Sequence, residues 1–357
     1  MSAPFSDQQE LIDFLVNKGN GVTGLSQMGL SSLPQHFIQP PEARLALGAP
    51  NLLSQDSIPI IDASNWDHPN IGKSICEAAE NWGFFQIINH GIPFEVLEGV
   101  KAAGHRFFEL PVEERRKWIK ENSPTHTVQL MTSLSPLAVK VLEWKDYLFH
   151  IYDSKDESSQ LWPSVSKDQV LEYMKWVQPV IRKLLDILLK GLNVEEMDEA
   201  KKSSLMGTLM VNLIYYPKCP NPELTAGAGP HADISSITIL LQDDVGGLYV
   251  RAPQGDGWIH VPPMKGALVI NIGDILQIMS NGRYKSIEHR VIVNSKRNRI
   301  SVPVFVNPSP DAVIGPLPQV VERGEKALYK QVVYSDYFNY FFSKGHEGKH
   351  TIEYAKI

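Results

Sequence analysis

With 357 residues, 43% of them apolar and 21% charged, the chain has length for one large domain or two ordinary ones and the composition of a globular protein with a sizeable core. Its net charge of −6 gives no general reason to expect nucleic acid or a membrane surface as a partner, so an anionic ligand needs a local basic site. The two cysteines, Cys76 and Cys219, lie far apart and form no C-x-x-C pair, which argues against a disulfide framework and fits reduced thiols in the cytoplasm.

Residues 1–10 carry acids early and lack a basic stretch followed by an apolar core, which argues against a signal or transit peptide. No apolar run approaches bilayer length. The expectation is a soluble cytoplasmic enzyme, working as a monomer without a membrane or nucleic-acid partner. Amphipathic spacing over 9–17 predicts a short helix ended by Gly19-Asn20-Gly21. Residues 33–57, rich in Pro, Gln and Ser, read as an extended arm, so 1–57 form a helix and arm. Within a mixed region 58–205, strands are predicted over 58–62 and 84–89, and helices over 70–82, 94–109, 111–120 and 168–193. Residues 122–163 read as irregular backbone with one or two strands. From 206 the character changes to short β-rich runs: 207–216, 235–242, 247–251, 257–261, 267–272, 275–280, 288–294 and 299–306. Such runs, punctuated by Gly, Pro and Asn, indicate a double-sheet jelly roll or a barrel over 206–310. Residues 311–357 form a covering segment, with an aromatic-rich helix over 334–342, and the whole is one catalytic unit.

Within the β-rich part, His231 and Asp233 stand two apart in Pro230-His231-Ala232-Asp233, and on extended backbone alternate side chains share a face. His289 follows on a distant strand that can face the same interior. Two imidazoles and a carboxylate occupy one face of an Fe(II) ion, leaving three positions for a bidentate co-substrate and dioxygen. The same set suits a catalytic zinc, and among eleven histidines an isolated H-x-D also recurs by chance. Arg299 and Ser301, again two apart, weigh against zinc. A guanidinium grips a carboxylate bidentately and the hydroxyl adds a donor, so a co-substrate anion that also reaches the metal explains them. The competing reading of Arg299 as a surface residue is weakened by its apolar neighbours Ile300, Val302, Val304 and Phe305. His90 is assigned a turn contact, His260 the surface, and Lys296 and Arg297 a solvated turn.

In this order and spacing, the site residues resemble those of the plant 2-oxoglutarate- and Fe(II)-dependent dioxygenases. Further matching words are Tyr215-Tyr216-Pro217-Lys218-Cys219-Pro220, Val269-Ile270-Asn271-Ile272-Gly273-Asp274, Trp82-Gly83-Phe84-Phe85-Gln86 and Asn89-His90-Gly91. The resemblance implies a mainly β fold with flanking α-helices around a distorted double-stranded β-helix, or jelly-roll, core. It implies Fe(II) held by His231, Asp233 and His289, the catalytic centre. It implies 2-oxoglutarate held by Arg299 and Ser301 with Tyr216 as a further donor, ascorbate as reductant, and succinate and carbon dioxide as co-products. One departure is Ile214-Tyr215-Tyr216-Pro217, where the family reads Asn-Tyr-Tyr-Pro. The missing amide predicts weakened or re-routed co-substrate binding, not its loss.

Outside those words, Lys18-Gly19-Asn20-Gly21-Val22, Leu142-Glu143-Trp144-Lys145-Asp146-Tyr147-Leu148, Ile314-Gly315-Pro316-Leu317-Pro318 and Tyr354-Ala355-Lys356-Ile357 are similar to plant hydroxycinnamoyl-CoA ortho-hydroxylases. That implies hydroxylation of the ring of feruloyl-CoA or p-coumaroyl-CoA ortho to the propenoyl chain, with dioxygen as the oxygen source. The product then closes to a coumarin, scopoletin or umbelliferone. Such an acyl-CoA thioester calls for an aromatic cavity and a basic mouth. Candidates for the cavity are Phe305, Ile234, Leu130, Met131 and Phe149, and for the mouth Arg283, Lys285, Lys140 and Lys145. The alternatives are a free coumarin or other phenylpropanoid or flavonoid as substrate, an oxidase that does without 2-oxoglutarate, and a catalytically silent binding protein on this fold.

Overall fold

Strand order decides where the site lies. The computed structural model describes residues 5, 7–45, 57–134, 136–137, 139–153, 157–194, 205–321, 326–344 and 350–357. Among them the main strands are β1 (Ile60–Asp62), β2 (Phe84–Ile88), β3 (Val128–Thr132), β4 (Asp146–Tyr152), β5 (Thr208–Tyr216) and β6 (Ala228–His231). They continue with β7 (Ile237–Gln242), β8 (Leu248–Arg251), β9 (Trp258–His260), β10 (Leu268–Ile272), β11 (His289–Val291) and β12 (Arg299–Asn307). An eight-stranded sheet runs β1-β2-β10-β7-β12-β5-β4-β3, and a four-stranded sheet runs β6-β11-β8-β9. The larger sheet takes strands from both 58–205 and 206–310. Residues from both sheets line one internal cavity, so the two sheets face each other across it.

Period-two alternation sorts the larger sheet's side chains. On β5 and β12, Val211, Leu213, Tyr215, Ile300, Val302 and Val304 join the core cluster that also contains Leu97, Val100 and Phe108 of the helix Phe94–Phe108. The rings of Phe108 and Tyr215 stack 4.9 Å apart. Their neighbours Met210, Ile214, Tyr216, Arg299, Ser301 and Phe305 point the other way, into the cavity. Behind the sheet, the helix Lys167–Gly191 buries Val170, Met174, Val177, Ile181, Leu184 and Leu188 at helical spacing.

Most predicted elements lie within a residue or two of their observed bounds, with four differences. The run expected as a strand over 275–280 is the helix Asp274–Met279, all six residues of it buried. A short apolar run carries no period that separates strand from helix. The helix Gly21–Gln27 begins at the residues expected to end a helix. Gly21 has φ +66°, and a Cβ there would fall 2.5 Å from the Asp146 carboxylate, so the position requires glycine. The helix expected over 111–120 shrinks to Val112–Arg115 and a 3-10 turn, Arg116–Trp118. The arm expected to be extended holds two 3-10 turns, Gln35–Phe37 and Pro41–Ala43, and is pinned: Gln39 N–H donates to Leu224 O and Leu142 N–H to His36 O, each at 2.8 Å. Its part 46–56 lies outside the described residues.

Candidate active site

β6 and β11 pair so that His231 and His289 are direct cross-strand partners. Their ring centroids lie 4.2 Å apart. Asp233 follows the end of β6, and its Oδ1 sits 3.7 Å from Nε2 of each imidazole. The three potential ligand atoms lie within 4.8 Å of one another, and all three residues are buried. Each Nδ1 faces a backbone carbonyl, Gly229 O at 2.8 Å for His231 and Ile287 O at 3.4 Å for His289. A carbonyl only accepts, so Nδ1 carries the proton and each Nε2 lone pair turns inward. Asp233 is oriented in the same sense. Its Oδ2 accepts from Thr238 Oγ1 at 2.6 Å and Asn271 Nδ2 at 2.8 Å, leaving Oδ1 toward the histidines. Asp274 N–H binds Asp233 O at 2.7 Å, so the misread helix pins the ligand's backbone. Two nitrogen lone pairs and one carboxylate oxygen converging on one point fit a divalent metal.

Arg299, paired in register with Tyr216, is 1% exposed, and Ser301 is 2% exposed. The guanidinium donates to Ser301 Oγ at 3.2 Å and to Gln242 Oε1 at 3.4 Å, and lies 4.8 Å above the Tyr216 ring. Its Nε has no hydrogen-bond partner, and among the described residues no carboxylate pairs with it. A buried guanidinium without a counter-ion costs several kcal/mol, so the donors present fit an incoming carboxylate.

The triad and this pocket open on the same cavity of about 400 Å³. Met131, Phe149, Ile234 and Phe305 line it as expected, and Lys145 does too. Leu130 does not. It points from β3 into the opposite core, against the cluster containing Leu148. Arg283 and Lys285 do not line the cavity either: Arg283 binds Glu80 at 2.6 Å and Gly191 O at 3.0 Å, and Lys285 N–H reaches Ala79 O at 3.0 Å. Lys140 is exposed and outside the lining. Residues not singled out beforehand include Tyr147, Met210 and, on the helix Tyr334–Lys344, Phe338, Phe341 and Phe342. The aromatic density of that segment was the signal. Ile214 also lines the cavity, in register with Ser301 on one side and Tyr147 on the other. His90 makes its turn contact, accepting from Ile92 N–H on Nδ1 at 3.2 Å, and its Nε2 lies 2.9 Å from the distant Gly266 O; His260 is exposed.

Residues 207–308 match the model of the 2OG-Fe(II) oxygenase superfamily, and residues 58–171 match that of the non-haem dioxygenase in morphine synthesis N-terminal region. The chain is 58% identical to feruloyl CoA ortho-hydroxylase F6H1-3 of Ipomoea batatas, covering 97% of each. It is 57% identical to the bi-functional coumaroyl CoA and feruloyl CoA ortho-hydroxylase F6H2-1-1 of the same plant, covering 98% of this chain and 97% of that one. Its structure is similar to the crystal structure of JOX2 in complex with 2OG, Fe and JA, with a TM-score of 0.82, 34% identity, and coverage of 94% of this chain and 97% of that one.

Proposed function

This chain belongs to the 2OG-Fe(II) oxygenase superfamily, and we propose that it hydroxylates the aromatic ring of a hydroxycinnamoyl-CoA ortho to the propenoyl chain. Feruloyl-CoA and p-coumaroyl-CoA are the substrates, and the products close to coumarins. The balance is one ring C–H, dioxygen and 2-oxoglutarate giving one ring C–OH, succinate and carbon dioxide. The observation that carries this reading is a single cavity joining three converging metal ligands, a guanidinium with no carboxylate partner among the described residues and an aromatic wall. The names of relatives more than half identical to this chain support the choice of substrate.

His231, Asp233 and His289 would hold Fe(II), and Arg299, Ser301 and Tyr216 would hold the far carboxylate of 2-oxoglutarate. With Fe(II) and 2-oxoglutarate bound there, the site would supply the activation of dioxygen, one of whose atoms would enter the ring and the other succinate. The rest is the work of the chain. Thr238 and Asn271 occupy Asp233 Oδ2, so that Oδ1 alone is offered. Ile234, Phe149, Phe305 and the aromatic residues of the helix Tyr334–Lys344 hold the ring flat and keep water away from it. Ascorbate would serve as the reductant. We also assign a cytoplasmic monomer without a membrane or nucleic-acid partner; no helix among the described residues is long and apolar enough to cross a membrane.

The test incubates purified protein with Fe(II), ascorbate, 2-oxoglutarate and a panel of CoA thioesters, free acids and coumarins. Succinate and a product heavier by one oxygen are followed by mass spectrometry. Succinate coupled to feruloyl- or p-coumaroyl-CoA is expected. Coupling to free coumarins alone would replace the substrate, and no coupling at all would sink the hydroxylase.

A further inference from the structure

Among the described residues two cations line the cavity, Arg299 and Lys145. Arg299 is accounted for by the co-substrate; Lys145 is not. It is 5% exposed and immediately precedes β4, on the inward side shared with Tyr147 and Phe149. Asp146 pairs with Tyr215, which places Lys145 beside Tyr216 on the flank away from Arg299. Among the described residues the ammonium has one charged partner, Glu143 Oε2 at 2.9 Å. That carboxylate is itself anchored: its Oε1 accepts from Gly229 N–H at 2.6 Å, and Glu143 N–H donates to Ser133 Oγ at 2.9 Å. Gly229 O in turn receives His231 Nδ1 at 2.8 Å. The pair is therefore tied to the strand that carries a metal ligand.

Burying an ammonium and a carboxylate together costs several kcal/mol per ion, and apolar residues of similar size often replace such a pair without loss of stability. Stability alone does not explain a pair whose lysine lines a ligand cavity. An ammonium has three N–H donors, and Glu143 takes one direction only. With its charge already balanced, Lys145 is poorly matched to a second carboxylate and well matched to a single oxygen acceptor. A cavity of about 400 Å³ admits the aryl-propenoyl end of a CoA thioester and leaves the nucleotide outside. With the thioester directed out through the mouth, the oxygens left to reach an enclosed ammonium are those on the ring, and the hydroxyl is the one that both feruloyl- and p-coumaroyl-CoA carry.

We infer that Lys145 is a specificity-determining residue whose ammonium donates to the ring hydroxyl oxygen of the aryl substrate, with Glu143 positioning it. The inference rests on the hydroxycinnamoyl-CoA reading above. The experiment compares kcat/KM for p-coumaroyl-CoA with that for cinnamoyl-CoA, which lacks the ring hydroxyl. Wild-type protein, Lys145→Met, and Lys145→Met combined with Glu143→Gln are measured. The double variant avoids an unpaired buried carboxylate and keeps an acceptor for Gly229. Wild-type protein is expected to favour the hydroxylated ring by about tenfold or more, the scale of a hydrogen bond to a charged donor. Both variants are expected to erase that preference while leaving the KM for 2-oxoglutarate unchanged. An equal loss on both thioesters, or a raised KM for 2-oxoglutarate, would overturn the assignment and leave the hydroxylase intact. A wild-type ratio near one overturns it even if neither variant folds. No turnover of any hydroxycinnamoyl thioester by the wild type overturns the underlying reading and this inference together.

Discussion

Asp233 and Asp146 are both buried carboxylates, 6% and 0% exposed, and they are furnished very differently. Asp146 is saturated. Its Oδ1 accepts from Val22 N–H at 2.8 Å and Thr132 Oγ1 at 2.7 Å, and its Oδ2 from Thr23 N–H at 2.7 Å and Thr23 Oγ1 at 2.6 Å. Nothing is left over for a ligand, and the donors come from segments far apart in the chain, so the carboxylate works as a clamp. Asp233 receives two donors, both on Oδ2, while two imidazole nitrogens stand off its Oδ1 at 3.7 Å without bonding to it. A buried anionic oxygen left short of donors costs stability in isolation. Fold-building and chemistry-bearing carboxylates differ here by their unmet valence.

The sharpest way to break the comparison is to remove each carboxylate in turn. Asp233→Ala is expected to bring substrate-coupled succinate to background and abolish Fe(II) binding in an anaerobic titration, with the urea midpoint of the metal-free protein falling less than in Asp146→Ala because only two donors lose their acceptor. Retained turnover would exclude Asp233 as a ligand. Asp146→Ala is expected to do the reverse. Four donors lose their acceptor, costing at least about 3 kcal/mol in urea unfolding, while each folded molecule still binds Fe(II). Equal stability losses in the two variants would erase the distinction.

The same contrast explains what was legible in the sequence. H-x-D and R-x-S are period-two words, and period two is how strands aim side chains, so His231, Asp233, Arg299 and Ser301 stand out in the sequence itself. Phase was not legible. Leu130 and Met131 are adjacent on β3, and only the fold tells which of them meets the cavity. Charge alone did not reveal surroundings either, so Arg283 and Lys285 read like candidates for a mouth although Arg283 pairs with Glu80. The words Lys18-Gly19-Asn20-Gly21-Val22 and Leu142 to Leu148 seemed independent. They are one hydrogen-bonded unit closed by the Asp146 clamp, 124 positions apart at Val22. Long-range closure of that kind leaves no local pattern.

β4 carries a second structural group that sharpens the contrast by pH. His150 is fully buried, with Nδ1 at 3.1 Å from Val211 O and Nε2 without a hydrogen-bond partner among the described residues. Burial pushes its pKa down to about 4, with the bond to the Val211 carbonyl opposing. The folded value lies below the unfolded one, near 6.5. The unfolded chain therefore takes up the proton first on acidification, and stability present above pH 6.5 is lost as pH falls toward 4. About 2 kcal/mol is expected to go between pH 6.5 and 5. Urea midpoints of His150→Gln should fall less over that range than those of the wild type. Parallel curves would remove His150 as the source.

The smallest expected effect concerns a third carboxylate, brought in by the co-substrate. Like Asp146 and Asp233 it must find donors inside the protein, and at Ile214 this chain offers an alkyl group instead of an amide. Ile214 lines the cavity between Ser301 and Tyr147 in the sheet register, so an amide placed there would face the path between the Arg299 pocket and the metal ligands. One added hydrogen bond is worth about 0.5–1.5 kcal/mol net. Ile214→Asn is therefore expected to lower the KM for 2-oxoglutarate by about twofold to tenfold, with little change in the KM for the thioester. An unchanged KM for 2-oxoglutarate would mean that its carboxylates are already saturated by other donors, as Asp146 is. The Tyr147 hydroxyl, in register with Ile214, is then the group to remove: Tyr147→Phe should raise that KM if it has taken over the contact.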